Sequence, residues 1–377
     1  MLRYTLFSFL LLATSCALPS TFDMDAKDNV AVYWGQNSNT TQDSLATYCQ
    51  NSDANIFLLS FLFEFPELGL NFANSCSESF ENGLLNCSQI SQDIQTCQSL
   101  GKKVFLSLGG AAGSYGFSND TEAELFAQTL WDTFAEGTDV KERPFGNSVI
   151  DGFDFNIENN NKIGYAALVS KLRSLFTVGS KDYYISAAPQ CPYPDSSVGD
   201  LLQNSDVDFA FIQFYNNKCG VEEEFNWDNW VNYANNISPN SDIKLYMGLP
   251  ASEHAANSGY VSNFTLLGEV ISKICQSPNF GGISLWDASQ AFANVKDGKH
   301  YIAQIKESLE ENALTLSLEN DPSLFTPIVS FYVVTGANNT SIPPRLSISQ
   351  YHSHVGKSIQ QEYIALNARY PIALSTS

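Results

Sequence analysis

Eight short apolar runs recur along this chain at intervals that leave room for a helix between them: Val30–Trp34, Ile56–Phe61, Val104–Leu108, Phe153–Ile157, Tyr184–Ala187, Phe209–Phe214, Ile243–Gly248 and Ile283–Trp286. Stretches of helical character lie between the runs, among them Glu122–Phe134, Tyr165–Phe176 and Leu266–Cys275, while Gly109-Gly110, Pro189 and Pro250 punctuate strand ends. Strand and helix alternating about eight times predict an α/β fold, a (β/α)8 TIM barrel rather than a two-sheet sandwich. The chain has 377 residues, 44% hydrophobic and 13% aromatic, enough apolar surface for one core of that size.

The fourth run carries the chemistry. Residues 151–158 read Asp-Gly-Phe-Asp-Phe-Asn-Ile-Glu, and the two-residue period of a strand points Asp154, Asn156 and Glu158 to one side and Phe153, Phe155 and Ile157 to the other. The apolar side suits a strand covered by helices. Polar groups on the inward side are costly to bury unless they bond to one another or to a substrate, so the row is read as the wall of a cleft. A half-exposed strand with a polar solvent face is the alternative for this octapeptide taken alone. Glu158 ends the strand just before Asn159-Asn160-Asn161, which puts it at the C-terminal mouth where barrel enzymes hold their active sites. Asp151 is out of phase with the inward row and is read as structural, holding backbone at the strand's beginning.

The first residues, Arg3, the apolar run Tyr4–Ala13 and Ser15-Cys16-Ala17, have the composition of a secretory leader, expected to end at residue 17. Secretion, to the medium or to a cell wall, is the expected destination. Of the eight cysteines, Cys16 falls in the leader, leaving Cys49, Cys76, Cys87, Cys97, Cys191, Cys219 and Cys275. An oxidising compartment makes disulfides of six of them, in pairings that spacing alone leaves open. Asn39, Asn86, Asn119, Asn236, Asn263, Asn338 and Asn339 begin Asn-x-Ser/Thr sequons, as suits a secreted glycoprotein. A formal net charge of −21 repels nucleic acid and anionic membranes and leaves a neutral polysaccharide as a compatible partner.

The octapeptide resembles the Asp-Gly-x-Asp-x-Asp-x-Glu signature of glycoside hydrolase family 18, the retaining chitinases. The likeness extends through Ala31-Val-Tyr-Trp-Gly-Gln-Asn37, Ser107-Leu-Gly-Gly110, Ile212-Gln-Phe-Tyr-Asn-Asn217 and Gly281-Gly-Ile-Ser-Leu-Trp-Asp287. Over roughly residues 29–309 the chain is similar to the family's budding-yeast secreted and plant hevamine-like branch. The resemblance implies a catalytic domain over residues 18–309 that cuts within chitin or chito-oligosaccharides as a monomer, by a substrate-assisted mechanism that is one exception to the two-carboxylate rule. It implies Glu158 as general acid and base, Tyr215 steering the sugar's acetamido group with Gln213 beside it, Tyr33 holding the acidic cluster with Asp154, and Trp286 stacking under the reacting sugar. It also implies the pairs Cys49–Cys97, Cys76–Cys87 and Cys191–Cys219, leaving Cys275 as a thiol packed in a helix, and cis peptides at Ser60-Phe61 and Trp286-Asp287.

One position departs from the pattern. The family has an aspartate where this chain has Asn156, which keeps the shape but brings no negative charge. Asp154 is expected to be the partner on which residue 156 leans. Reduced hydrolysis and an acid-shifted optimum are the expected consequences, since an amide cannot raise the pKa of Glu158 as a neighbouring anion does. The rivals are a catalytically silent chitin-binding or inhibitor-like protein and an endo-β-N-acetylglucosaminidase acting on N-glycans. No cofactor and no metal are expected: His254, His300, His352 and His354 lie away from the barrel motifs, and Gly109-Gly110 lacks a phosphate-loop pattern. Residues 310–377 are read as an extension without a legible anchoring module, with Thr326–Val334 a candidate strand and Ser358–Tyr370 a candidate helix.

Overall fold

All eight runs become parallel strands in the computed structural model, which describes residues 21–38 and 41–320. The barrel strands are β1 (Asn29–Trp34), β2 (Ile56–Phe65), β3 (Lys103–Gly110), β4 (Gly152–Ile157), β5 (Tyr184–Ala187), β6 (Phe209–Gln213), β7 (Lys244–Pro250) and β8 (Phe280–Trp286). Each pairs in parallel with its neighbours in chain order, and β1 pairs with both β2 and β8, which closes the barrel. The helices α1 (Leu45–Asn51), α2 (Ser88–Ser99), α3 (Asp120–Phe134), α4 (Tyr165–Phe176), α5 (Gly199–Asn204), α6 (Trp227–Asn236) and α7 (Phe264–Ile274) follow the first seven strands in turn, and α8 (Ala288–Ala293) and α9 (Tyr301–Asn320) follow the eighth. The α/β alternation read from the sequence is therefore the architecture. The leader, the candidate elements after residue 320, His352, His354 and the sequons at Asn39, Asn338 and Asn339 lie outside the described residues.

The alternation within β4 divides its side chains as a doubly covered strand requires. Phe153, Phe155 and Ile157 join the main apolar cluster between strands and helices, where Phe153 stacks on Phe176 and Phe155 meets Tyr165 edge to face, both partners on α4. Burial of this kind contributes roughly 1.5–3 kcal/mol per side chain. Inside the barrel a second cluster, which includes Phe105, Phe209, Phe211 and Tyr246, fills the lumen away from the mouth. Phe22, ahead of β1, packs edge-on against Tyr184 and Phe209 there. With its far end packed by aromatic rings, the barrel has its polar interior at the end where Asp154, Asn156 and Glu158 stand.

Several elements differ from the sequence reading at their ends, two of them for visible reasons. Strand β2 runs on to Phe65 because its last residues pair with two short rim strands, Gly69–Leu70 and Ser114–Tyr115. Helix α7 starts at Phe264, where Asn263 caps it by accepting from Thr265 and Leu266 N–H, and stops at Ile274, with Cys275 as its C-terminal cap. Three disulfides join Cys49 to Cys97, Cys76 to Cys87 and Cys191 to Cys219, and the buried Cys275 thiol donates to Ser272 O. The peptides Ser60-Phe61 and Trp286-Asp287 are cis. Helix α9 buries Tyr301, Ile302, Ile305 and Leu309 and continues to Asn320. Among the described residues no helix is long and apolar enough to cross a membrane.

Candidate active site

Parallel register aligns the inward row of β4 with polar groups on both neighbouring strands. Ser107 on β3 and Ser186 on β5 are both level with Asp154. The Ser107 hydroxyl donates to Asp154 Oδ2 at 2.6 Å, Ser186 donates to Oδ1 at 2.7 Å, and the Tyr33 hydroxyl on β1 donates to Oδ2 at 3.2 Å. Asp154 is fully buried. Burial pushes its carboxyl up to about 6, even though the three hydroxyls favour the ionised form. Tyr33 and two serines thus share the carboxylate of Asp154.

Above this layer a cavity of about 270 Å³ opens at the C-terminal mouth. Asn156, Glu158, Gln213, Tyr215 and Trp286 all line it, so five residues from three strand ends meet around one space. Trp286, the last residue of β8, lies nearly parallel to Phe61 at 5.8 Å and beside Tyr33 at 5.6 Å, packed against both where it lines the cavity. Gly109 and Gly110 allow the close approach of β3. A Cβ on Gly109, whose φ is +105°, would lie 2.3 Å from Asn156 O, and one on Gly110 would meet the Phe61 ring.

Glu158 is half-buried, the first residue beyond β4. Burial raises its pKa above the ordinary carboxylate range, a side-chain hydrogen bond from Asn156 lowers it, and the charge of Asp195 raises it again. The acid-shifting effect of the amide is thus present, but burial outweighs it. Asp195 stays in place because its carboxylate accepts from Gln190, Ser197 and Val198 N–H. Asn156 finds partners other than the Asp154 expected from sequence: Gln213 Nε2 donates to Asn156 Oδ1 at 3.2 Å and to Ala188 O at 2.9 Å. Burial also raises the Tyr215 hydroxyl, with Glu158 and Asp154 adding to the shift. Tyr215 keeps its proton and stands in the cavity as a donor. Asp151 is apart from the site, accepting from Val104 N–H and from Gln98, and paired with Lys181 at 2.8 Å.

Several site residues escaped sequence reasoning. Ser107 and Ser186 were within reach, as lone hydroxyls in apolar strands level with Asp154. Tyr115 had no signal, because the two-residue strand that carries it has no period to read; its hydroxyl donates to Gly110 O and accepts from Glu158 N–H. Gln36, Phe63, Asn71 and Asn216 also line the cavity. No group of three or more His, Cys, Asp or Glu residues able to hold a metal occurs among the described residues.

Comparison with known proteins gives consistent likenesses. A sequence model of the family described as Glycosyl hydrolases family 18 matches residues 29–263. The chain is 63% identical over 307 residues to an endochitinase of Saccharomyces cerevisiae, covering 81% of this chain and 54% of that protein. It is 50% identical over 304 residues to Chitinase 1 of Candida albicans, covering 81% of this chain and 63% of the relative. The chain thus spans little more than half the length of the first of these curated relatives. Among solved structures, a chitinase from Ipomoea carnea superposes with a TM-score of 0.62 at 31% identity, covering 74% of this chain and 99% of that one. A xylanase and alpha-amylase inhibitor protein from Scadoxus multiflorus gives 0.62 at 29% identity, covering 75% and 97%.

Proposed function

Because the chain belongs to glycosyl hydrolase family 18, we propose that it is a chitinase that hydrolyses β-1,4-N-acetylglucosamine linkages within chitin, with retention, using the substrate's own acetamido group as nucleophile. One observation carries the reading: of the described residues lining the cavity, only Glu158 bears a carboxylate. A two-carboxylate mechanism needs a second acid facing the same space. Asp154 lies beneath the cavity with both oxygens engaged by hydroxyls, and Asp195 has its oxygens on backbone N–H groups. This lining supports a reading in which the attacking group comes from the sugar.

In this mechanism Glu158 gives its proton to the glycosidic oxygen as the C1–O bond breaks and its electron pair leaves with that oxygen. The acetamido carbonyl oxygen closes on C1, forming an oxazolinium ion. Water then attacks C1, reopens the ring and returns its proton to Glu158. Tyr215 donates to the acetamido carbonyl, and Trp286 supports the sugar ring by stacking. The raised pKa of Glu158 supports the acid role, since it keeps the proton available at mildly acid pH. Secretion or residence at a cell wall accords with this substrate.

Asn156 favours a second reading, a chitin-binding protein with little or no turnover, because it brings no charge to balance the oxazolinium. Incubation of the purified chain with a fluorogenic chitotriose separates the two. The chitinase reading expects release that Glu158→Gln abolishes; bound but uncut ligand at every pH would leave the binding reading. Chitotetraose compared with a high-mannose glycopeptide tests the endo-β-N-acetylglucosaminidase rival, which requires the glycopeptide to be cut.

A further inference from the structure

We propose that Gln213 is a positioning residue that fixes the amide of Asn156 so that its nitrogen, and not its oxygen, faces Glu158. The inference rests on the reading of Glu158 given above and on a row of hydrogen bonds whose direction is set at one end. That end is the backbone carbonyl of Ala188, which can only accept. Gln213 meets it with Nε2 at 2.9 Å, and the same nitrogen donates to Asn156 Oδ1 at 3.2 Å. With Oδ1 committed to Gln213, Nδ2 of Asn156 is the atom left to donate to Glu158, which stands two residues further along the same inward row and lines the same cavity.

Reversing either amide puts like groups face to face: an oxygen of Gln213 against Ala188 O, or two NH2 groups between Gln213 and Asn156. Gln213 and Asn156 are 9% and 5% exposed, so water does not readily repair such a mismatch. A carboxylate at 156 has two equivalent oxygens and needs no such orientation. An amide does, and here the orientation presents a donor, which favours the ionised form of Glu158. Gln213 therefore acts on the proton donor through Asn156. The other groups around Glu158 are Asp195 ahead of α5, Tyr115 on the rim strand, Tyr215 beyond β6, Tyr33 on β1 and Asp154 beneath. They are common to every variant compared below.

The test is a carbon-13 NMR titration of the full chain labelled at glutamate carboxyls, with the Glu158 signal identified by its loss in Glu158→Gln. In Gln213→Leu and Gln213→Met the Asn156 amide is released to turn its oxygen toward Glu158, and the midpoint is expected to rise by about one pH unit. In an Asn156→Ala background the same replacements should leave it unmoved. Thermal melts identify any variant that fails to fold, and the second replacement at 213 then supplies the reading. A midpoint equal to that of the parent in the folded variants, or an equal rise in the Asn156→Ala background, overturns the proposal. Turnover of chitotriose on the same samples keeps the two readings apart: a moved midpoint in a chain that cuts nothing supports the positioning role while sinking the chitinase reading, and turnover with an unmoved midpoint does the opposite.

Discussion

Tyr115 and Glu158 are tied at the rim of the barrel: the backbone N–H of Glu158 donates to Tyr115 Oη at 3.0 Å, and the same hydroxyl donates to Gly110 O at 2.6 Å. One phenol thereby joins the ends of two adjacent strands and sets where Glu158 leaves β4. Tyr115→Phe removes both bonds and should lower stability by about 1–3 kcal/mol. It should also reduce kcat about tenfold or more with little change in KM, because the proton donor is displaced while the sugar-binding faces remain. Melting curves and steady-state kinetics check the two parts separately.

Asn156→Asp should raise turnover, by on the order of 10²–10³, because it restores a charge beside the developing cation. It should also move the alkaline limb of the pH–rate profile upward. Activity is lost as pH rises through the pKa of Glu158, and the substitution both removes a hydrogen-bond donor that lowers this pKa and adds a like charge that raises it. An unchanged limb together with unchanged turnover would remove the account of position 156.

Asp154 predicts a pH dependence of stability. Its folded pKa, raised by burial from an ordinary 3.8 to about 6, means that between these values the folded state holds a proton the unfolded chain has released. Stability from this group is complete below the unfolded value and is lost as pH rises through the folded one, a loss on the order of 3 kcal/mol by pH 7. Chemical denaturation at pH 4 and pH 7 should show this slope in the parent and a shallower one in Asp154→Asn.

Gly109→Ala should be among the most disruptive small substitutions at the site. The residue has φ of +105°, and an added Cβ would sit 2.3 Å from Asn156 O, a backbone atom that cannot move aside alone. A loss of roughly 2–4 kcal/mol is expected, with activity falling alongside it. A variant with native melting temperature and native turnover would contradict this view of how β3 meets β4.

The barrel was legible because strands buried on both faces read as short, nearly continuous apolar runs spaced by helices, and the site strand was legible because Asp154, Asn156 and Glu158 kept phase against Phe153, Phe155 and Ile157. The strand ends that bear Gln213 and Trp286 were legible for the same reason. The cysteine pairs were not readable from spacing, which permits many pairings, and came from family resemblance. The rim was illegible where it is built from fragments: Ser114–Tyr115 is too short for any periodicity, yet it places the hydroxyl that holds Glu158. The direction of the Asn156 amide was also beyond sequence reasoning, since it is decided by the carbonyl of Ala188 through Gln213, and neither contact follows from local pattern.

The most direct measurement of the central claim is proton NMR of chitotetraose during the first moments of cleavage, before the product anomers equilibrate. Attack by the acetamido group followed by water on the same face predicts the β-anomer as the first reducing end formed. Initial appearance of the α-anomer would mean that water attacks C1 directly, and would contradict the account of a single proton donor working with the sugar's own nucleophile.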